Sequence, residues 1–497
     1  MAYLFDRATR RGPVAPLGRD PAAGEAATSC RRWLRGRVVV DQGYIAAYGV
    51  AGLVERARFG VLPPGIAARW TANRIIDSRN CYELLQRGHV VPPNRGGYTY
   101  VRTVAEVAKR DRGGLILAPA MGVVQANVAE LDFESEYPHL IVQDGLSYET
   151  VTPHGVRPRA DALLPHVTRQ ILARRLWFKR GRRRYAAGSP EWQWCEQRQL
   201  ALKMILVCLY GTSGCCWNRF GNVLCFEEIN RRSRETLVAA KTLVQQQGFD
   251  VVYADTDSLF VTKTDAPRAA YEALGEAIRR RLGLPIALDH HYKFFLLLPR
   301  RSRGAENMEA QKHYFGVLTD GTPLTRGIEA RRHDCPPFIR AFQIALIRTL
   351  FAGETVADVY ATGYPQAVAL VDEAEDQVRR AAIPLDDLVV SKTLRKPLAE
   401  YTSRPPHVAA ATSLAHHDAA IQRGDTIDFI YVNAGHRNPL RRVAPRDLYE
   451  AAYYDREKYH RLILDAAETV LSPFGFTRHA FDRRPRGRTT QTTLVPT

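Results

Sequence analysis

The sequence predicts an α+β fold, helices around an antiparallel sheet, and two observations carry that expectation. Residues 249–262 hold two short runs, "FDVVY" and "SLFVT", rich in β-branched and aromatic residues and separated by an acidic turn, the pattern of two strands joined as a hairpin. Apolar residues recur at helical spacing over 165–184, 192–210 and 234–247, as in helices with one buried face. At 497 residues the chain is too long for one core, and a prior of about 150 residues per domain gives three or four domains. The hydrophobic content of 45% is ordinary, but the formal charge of +18 is not. A surplus that large favours a polyanion, either nucleic acid or an anionic membrane surface. No apolar run reaches the roughly 18 residues of a membrane span, and "MAYLFDRATRRGP" lacks the apolar core of a secretion signal. Nucleic acid is therefore the expected partner and a membrane is not. The expected location is the cytoplasm, nucleoid-associated, in a bacterial or archaeal cell.

Taken in order, residues 1–40 are rich in Arg, Gly, Pro and Ala and read as a loosely ordered arm or peripheral subdomain. Residues 41–125 mix helical patterns with breaks at "VLPPG" and "VVPPNRGG". Val128–Phe133 reads as a strand carrying Asp132 near its end. The helices over 165–184 and 192–210 are separated by "AAGSP", with Ser189 and Pro190 placed to start the second. In "RETLVAAKTLVQQQG", Leu237, Ala240 and Val244 form one apolar face and Gly248 is a C-terminal stop. Beyond about residue 338 the pattern is mostly helical, with short strand-like pieces such as "IDFIYV", and the tail "DRRPRGRTTQTTLVPT" reads as disordered. The eight cysteines (Cys30, Cys81, Cys195, Cys208, Cys215, Cys216, Cys225, Cys335) form no C-x-x-C pair. Reduced thiols are expected, with no structural zinc or iron–sulfur site.

The stretch "YADTDSLF" places Asp255 and Asp257 one residue apart at the hairpin turn. Carboxylates held that close repel each other unless a cation sits between them. Mg²⁺ favours one or two carboxylates together with substrate phosphates. A solvated Asp-Thr-Asp turn is the other reading, and these residues alone leave both open. A strand bearing Asp132 beside the hairpin would complete a carboxylate cluster.

"DFESEYPHLI" (132–141), "LKMILVCLYG" (202–211) and "YADTDS" (253–258) resemble, in order and spacing, motifs A, B and C of the family-B DNA polymerases. "GGLILAPAMGVVQANVAELDF" looks like the approach to motif A, "QKHYFGVLTDGTPLTRGIEARRHDCPPF" like the palm segment with the Lys-x-Tyr motif, and "SKTLRKPLAEYTSRPPHVAAA" is similar to thumb sequence. Together the resemblance covers roughly residues 40–475. It implies a right-hand polymerase: a palm of antiparallel sheet plus helices, helical fingers, a mostly helical thumb and no intact exonuclease domain. On that basis 1–125 is an N-terminal arm and subdomain, 126–160 and 216–338 palm, 161–215 fingers, 339–480 thumb and 481–497 a flexible tail. The implied activity is template-directed addition of dNTPs to a primer 3′-hydroxyl on primer–template DNA, an in-line displacement on phosphorus that depends on positioning and charge neutralisation. Two Mg²⁺ ions about 4 Å apart are implied, with Mn²⁺ as a substitute. By the same resemblance Asp132 and Asp255 bridge the metals, the Phe133 carbonyl is a further ligand, and Asp257 is the third acid. Ser135, Tyr137, Lys203 and Tyr210 fall at nucleotide-binding positions, and the Tyr137 ring excludes a ribose 2′-hydroxyl. Arg175 and Lys179, at i and i+4 on one helix face, match the fingers pair that grips the triphosphate. Lys312 and Tyr314 match the motif on the primer–template backbone, and Arg395 and Lys396 are candidates for duplex phosphates.

The sequence departs from the family in two ways. Motif B has Val207 and Cys208 where asparagine and serine or alanine are usual, and motif A has Glu136 and His139 where leucine and serine are more common. The "LKxxLV" form resembles the second archaeal group of the family and its bacterial relatives. No Asp-x-Glu precedes Asp132, so no 3′→5′ exonuclease is expected, and a role in translesion synthesis or repair follows as a hypothesis. A catalytically impaired scaffold that binds primer–template is the alternative. Gln491–Leu494 in "QTTLVPT" carries a Gln-x-x-Leu core and is a candidate sliding-clamp peptide.

Overall fold

The computed structural model describes residues 40, 42–94, 102–110, 113–117, 121–299, 309–417, 419–451 and 453–482. The N-terminal arm and the tail with its Gln491–Leu494 peptide lie outside the described residues. In chain order the main elements are α1 (Gln42–Gly60), α2 (Ala72–Gln86), β1 (Ile116–Leu117), β2 (Gln125–Phe133), α3 (Glu136–Gln143), α4 (Leu163–Arg182), α5 (Pro190–Ser213) and α6 (Val223–Gln246). There follow β3 (Asp250–Asp255), β4 (Ser258–Thr262), α7 (Arg268–Leu282), β5 (Ile286–Pro299), β6 (Glu309–Leu318) and β7 (Pro323–Arg326). The last third holds α8 (Pro337–Leu350), α9 (Tyr364–Arg379), β8 (Val390–Thr393), α10 (Pro406–His416), β9 (Thr426–Tyr431), β10 (Val443–Pro445) and α11 (Arg456–Leu471).

The chain divides into two compact units, one of residues 1–115 and 133–238, the other of 116–132 and 239–497. The first is helical. Its core joins Leu53, Ile75, Ile171, Leu202, Ile205 and Leu209 from α1, α2, α4 and α5. Ser189 caps α5, its side chain accepting from Trp192 N with Pro190 at the first helical position, as the sequence predicts. α1 bends at Gly49 (φ +61°), where the Gln197 side chain fills the place a Cβ would need and accepts from Ala51 N at 3.2 Å. Glu55 is fully buried and receives Arg174 (2.5 and 2.7 Å) and Arg198 (2.8 Å), so its charge is matched twice. α6 begins well ahead of the predicted "RETLV" start. Asn222 caps it, its Oδ1 accepting from Leu224 N and Cys225 N.

The second unit is built on a seven-stranded sheet of order β1-β3-β4-β2-β5-β6-β7. β3 and β4 are buried along almost their whole length, so apolar residues occupy both of their faces. One face carries an aromatic cluster of Tyr253, Phe260, Tyr292, Phe295 and Tyr314. Alternate residues of β5 and β6 (Phe294, Leu296, Phe315, Val317) turn to the other face and pack with α8, α9 and α11. α7 is tied to β2 by the Tyr271 hydroxyl, which donates to Asn127 O at 2.6 Å. A separate three-stranded sheet, β8-β9-β10, packs Phe429 and Ile427 against the small residues Ala409–Ala411 of α10. No helix among the described residues is long and apolar enough to cross a membrane.

Candidate active site

In the sheet unit, β3 and β4 form the predicted hairpin. Asp255 pairs with Ser258 across it, and Ser258 pairs with Asp132 on the other side. Directly opposed residues of antiparallel strands project to the same face. Asp255, Ser258 and Asp132 therefore form one row, the two acids flanking a serine, with Ile116 of β1 continuing the row beyond Asp255. Asp257 lies outside this row, in the turn.

The turn is tight. Asp257 N donates to Asp255 O at 2.6 Å, and Thr256 between them has φ +55°. Positive φ at a β-branched residue is strained, at a cost of order 1–3 kcal/mol. Of the four other described non-glycine residues of this unit with positive φ (Asn127, Asp265, Ala381 and Lys312), the one that reaches the hairpin acids is Lys312, at φ +59°. It sits where the β5–β6 register breaks, with Leu297 opposite Tyr314 but Pro299 opposite Glu309, the kind of bulge that re-aims a side chain. The result is Lys312 Nζ at 3.3 Å from Asp255 Oδ2. Two strained residues thus serve one carboxylate, as expected where backbone energy is held for function and not for packing.

Gly327 supports the bulge. It has φ +71°, and a Cβ there would fall 2.4 Å from Lys312 O. Gly327→Ala is expected to cost more than about 1 kcal/mol in denaturant unfolding and to displace Lys312. Gly321→Ala, at φ +82° with open space around it, is the comparison that isolates the backbone term.

Desolvation, and after it the Asp255 carboxylate, push the Asp257 carboxyl above its usual range, while Lys312 pulls the other way. Asp257 is solvent-accessible, so water screens the desolvation part, and repulsion between two acids on one hairpin is what persists. Burial pushes Glu130, two residues before Asp132, up to about 7, partly offset by the Tyr292 hydroxyl donating at 3.0 Å. Tyr314 is buried in the aromatic cluster, its ring 5.3 Å from Phe260 and 5.2 Å from Phe295; Tyr253 and Phe260, two residues from Asp255 and Ser258, put this cluster on the same face of the sheet as the acid row. Arg395 and Lys396 follow β8, side chains exposed, with both backbone N–H groups donating to the Tyr401 hydroxyl.

In the helical unit, the turn after β2 places Ser135 at φ +57°, at the N-terminus of α3. Arg175 of α4 donates to Ser135 Oγ at 2.6 Å, and one turn later Lys179 pairs with Glu134. The Tyr137 ring stacks on Tyr210 at 4.4 Å, and Tyr210 stacks in turn on Phe226 at 4.7 Å. Both hydroxyls are directed to Asn230 Oδ1, Tyr210 at 2.6 Å and Tyr137 at 3.4 Å. Asn230 is buried, and it is the residue sequence reading missed. Its position one α6 turn before the "RETLV" face was the only available signal. Lys203 is exposed on α5, and Val207 one turn on is 59% exposed, so the two share an open face. Glu136 is buried and accepts from Ser233 Oγ at 3.1 Å, and His139 Nδ1 lies 3.1 Å from Ser135 O. Both motif-A departures are thus held within the local structure.

A sequence model of DNA polymerase family B matches residues 81–160 and 153–471. The chain belongs to this family. It is 27% identical to DNA polymerase 2 of Aeropyrum pernix over 406 residues, 78% of this chain and 47% of that protein. It is 25% identical to a DNA polymerase of Archaeoglobus fulgidus over 358 residues, 69% and 43% of the two chains. The fold matches the family-B DNA polymerase of Pyrobaculum calidifontis with a TM-score of 0.58 at 24% identity, over 85% of this chain and 53% of the other. The chain spans about half the length of the curated relatives it matches. The α+β class expected from the sequence is that of the family-B fold.

Family-B membership implies divalent metal, and the acid row can be tested for it. Among the described residues no group of three or more His, Cys, Asp or Glu side chains is gathered for a metal ion. Two carboxylates flank one serine, and the Lys312 ammonium already lies against Asp255. The two carboxylates are the hard oxygen donors that Mg²⁺ or Mn²⁺ would use, in place of the ammonium that lies against Asp255, with the remaining positions left to water and phosphate. The donors fit such an ion.

Proposed function

We propose that this family-B chain is a template-directed DNA polymerase, adding dNTPs to a primer 3′-hydroxyl. The observation that carries the reading is the Asp255–Ser258–Asp132 row with Lys312 on Asp255. Asp132, Asp255 and the Phe133 carbonyl would hold two Mg²⁺ ions, with Asp257 beside them. When bound, such ions lower the pKa of the attacking hydroxyl and neutralise charge on the phosphates. The chain's own residues do the rest. Lys203, Arg175 and Lys179 supply cations for a triphosphate, and the pairing of Lys179 with Glu134 and of Arg175 with Ser135 fixes those two side chains before a nucleotide arrives. The Tyr137–Tyr210 stack, locked by Asn230, offers a rigid ring to the incoming sugar. Lys312 contacts the primer–template backbone, and Arg395 and Lys396 contact duplex phosphates further along.

Removing the ring should relax sugar selection. Tyr137→Ala is expected to lower the preference for dCTP over CTP by on the order of 10²-fold, measured as the ratio of kcat/KM values for single-nucleotide incorporation. An unchanged ratio would remove Tyr137 from the sugar site.

We further propose that the chain extends primers without shortening their 3′ ends, and that it acts in translesion synthesis or repair. What supports the latter is Val207, an exposed apolar side chain where the family usually presents an amide. The test is extension of a labelled primer on DNA with Mg²⁺ and dNTPs, on undamaged and lesion-bearing templates, with one reaction lacking dNTPs. Extension without 3′-end shortening is the expected result. Primer–template binding with no extension would favour a scaffold, and shortening without dNTPs would overturn the first of these two claims.

A further inference from the structure

We propose that a groove on the α4–α5 helix pair binds single-stranded DNA. Its volume is about 890 Å³, and Trp177, Tyr185 and Trp194 line it together with Arg58, Arg174 and Arg198 and one exposed acid, Glu191. The three rings are 66%, 45% and 46% exposed. Trp177 packs edge-on against Phe178 at 4.8 Å, yet three large aromatic side chains each leave close to half or more of their surface open in one place, more than packing alone requires. Two of the three cations beside them, Arg174 and Arg198, are fixed. Arg198 lies 4.3 Å over the Trp194 ring, Arg174 lies 5.0 Å over Phe178, and both guanidiniums are anchored on buried Glu55. The groove is therefore preorganised before any ligand arrives.

The groove is distinct from the nucleotide-binding residues assigned above. Trp177 stands two residues from both Arg175 and Lys179, about 200° around the helix, so it faces away from that pair. Charge selects the occupant. Arg169 to Arg184 contains eight basic residues and no acid. Glu55, Glu134 and Glu196 pair with Arg174, Lys179 and Arg182. Among the described residues no carboxylate pairs with Arg58, Arg180, Arg183 or Arg184. Of these, Arg58 lines the groove itself and the others lie along the same stretch of chain, and a ligand that brings phosphates to such cations and flat faces to the rings satisfies both features at once. Single-stranded DNA does so, since its bases stack on aromatic side chains while its backbone follows a cationic groove. A duplex keeps its base faces stacked inside, and an acidic peptide would leave three rings without a use.

The test is the affinity of the full-length chain for a short labelled oligo(dT), read by fluorescence anisotropy, with heparin as a polyanion that has no bases. Trp177→Ala and Trp194→Ala are each expected to weaken oligo(dT) binding about fivefold or more and to leave heparin binding unchanged. Trp177→Phe, which keeps a ring, should retain most of the affinity and controls for folding. Oligo(dT) affinity unchanged in the double alanine variant would overturn the proposal, as would equal loss of oligo(dT) and heparin binding. Self-association of the wild type that the double variant abolishes, at constant oligo(dT) affinity, would instead assign the groove to a second copy of the chain. Extension of a primed template by the same variants reports the polymerase reaction separately, so failure of that reading and of this one are distinguishable.

Discussion

Asp255→Asn is expected to lower single-nucleotide incorporation by about 10³-fold or more, the scale on which removal of a key charge-stabilising group acts in phosphoryl transfer. The substitution preserves shape, so the hairpin and its pairing with β2 should survive. What it removes is the negative charge that draws Lys312 to 3.3 Å and that would hold a metal ion beside Asp132. Primer–template affinity should change little, because duplex contacts rest on other side chains. Rapid-quench incorporation, with DNA binding measured in parallel, checks both halves. A loss under tenfold would mean that the acid row is not the centre of the reaction.

The largest effect on stability is expected at Glu55. This carboxylate is fully buried and takes three hydrogen bonds from Arg174 and Arg198. Glu55→Gln leaves two guanidiniums facing a neutral group. Breaking a buried ion pair on one side costs about 3 kcal/mol or more, because the remaining charge is desolvated without compensation. By contrast, Glu272→Gln removes an Arg268 partner at 3.0 Å where both side chains are more than half exposed. There water screens the pair, and the change should lie within about 0.5 kcal/mol. Urea unfolding of the two variants beside wild type measures the contrast, and equal midpoints would show that the Glu55 network is not structural.

What was legible in the sequence was mostly local. The hairpin could be read because β-branched runs flank two acids, and α5 because Ser189-Pro190 is a strong start signal. α6 starts eleven residues ahead of the "RETLV" face, at a cap formed by Asn222, because "VLCFEEIN" has a less regular apolar face than "RETLVAAKTLV". The cross-strand row of Asp132 and Asp255 depends on strand order and register, which no local pattern specifies. Tyr314 illustrates the same limit. Its motif points to DNA, and its ring packs with Tyr253, Phe260 and Phe295 on the face of the acid row, a placement that strand order and register decide and no local pattern specifies. Asn230 escaped notice for a related reason: a polar residue within a helical run reads as solvated until two tyrosine hydroxyls are found on it. The strain at Thr256 and Lys312 has no sequence signature at all, since neither residue type favours positive φ.

The central claim is that the Asp132–Ser258–Asp255 row holds catalytic metal, and Mn²⁺ binding tests it most directly. Electron paramagnetic resonance would count Mn²⁺ bound by the full chain with primer–template and a non-hydrolysable dNTP, beside Asp132→Asn and Asp255→Asn. Binding by wild type that either substitution removes is the result expected here. Equal Mn²⁺ occupancy in all three proteins would contradict it.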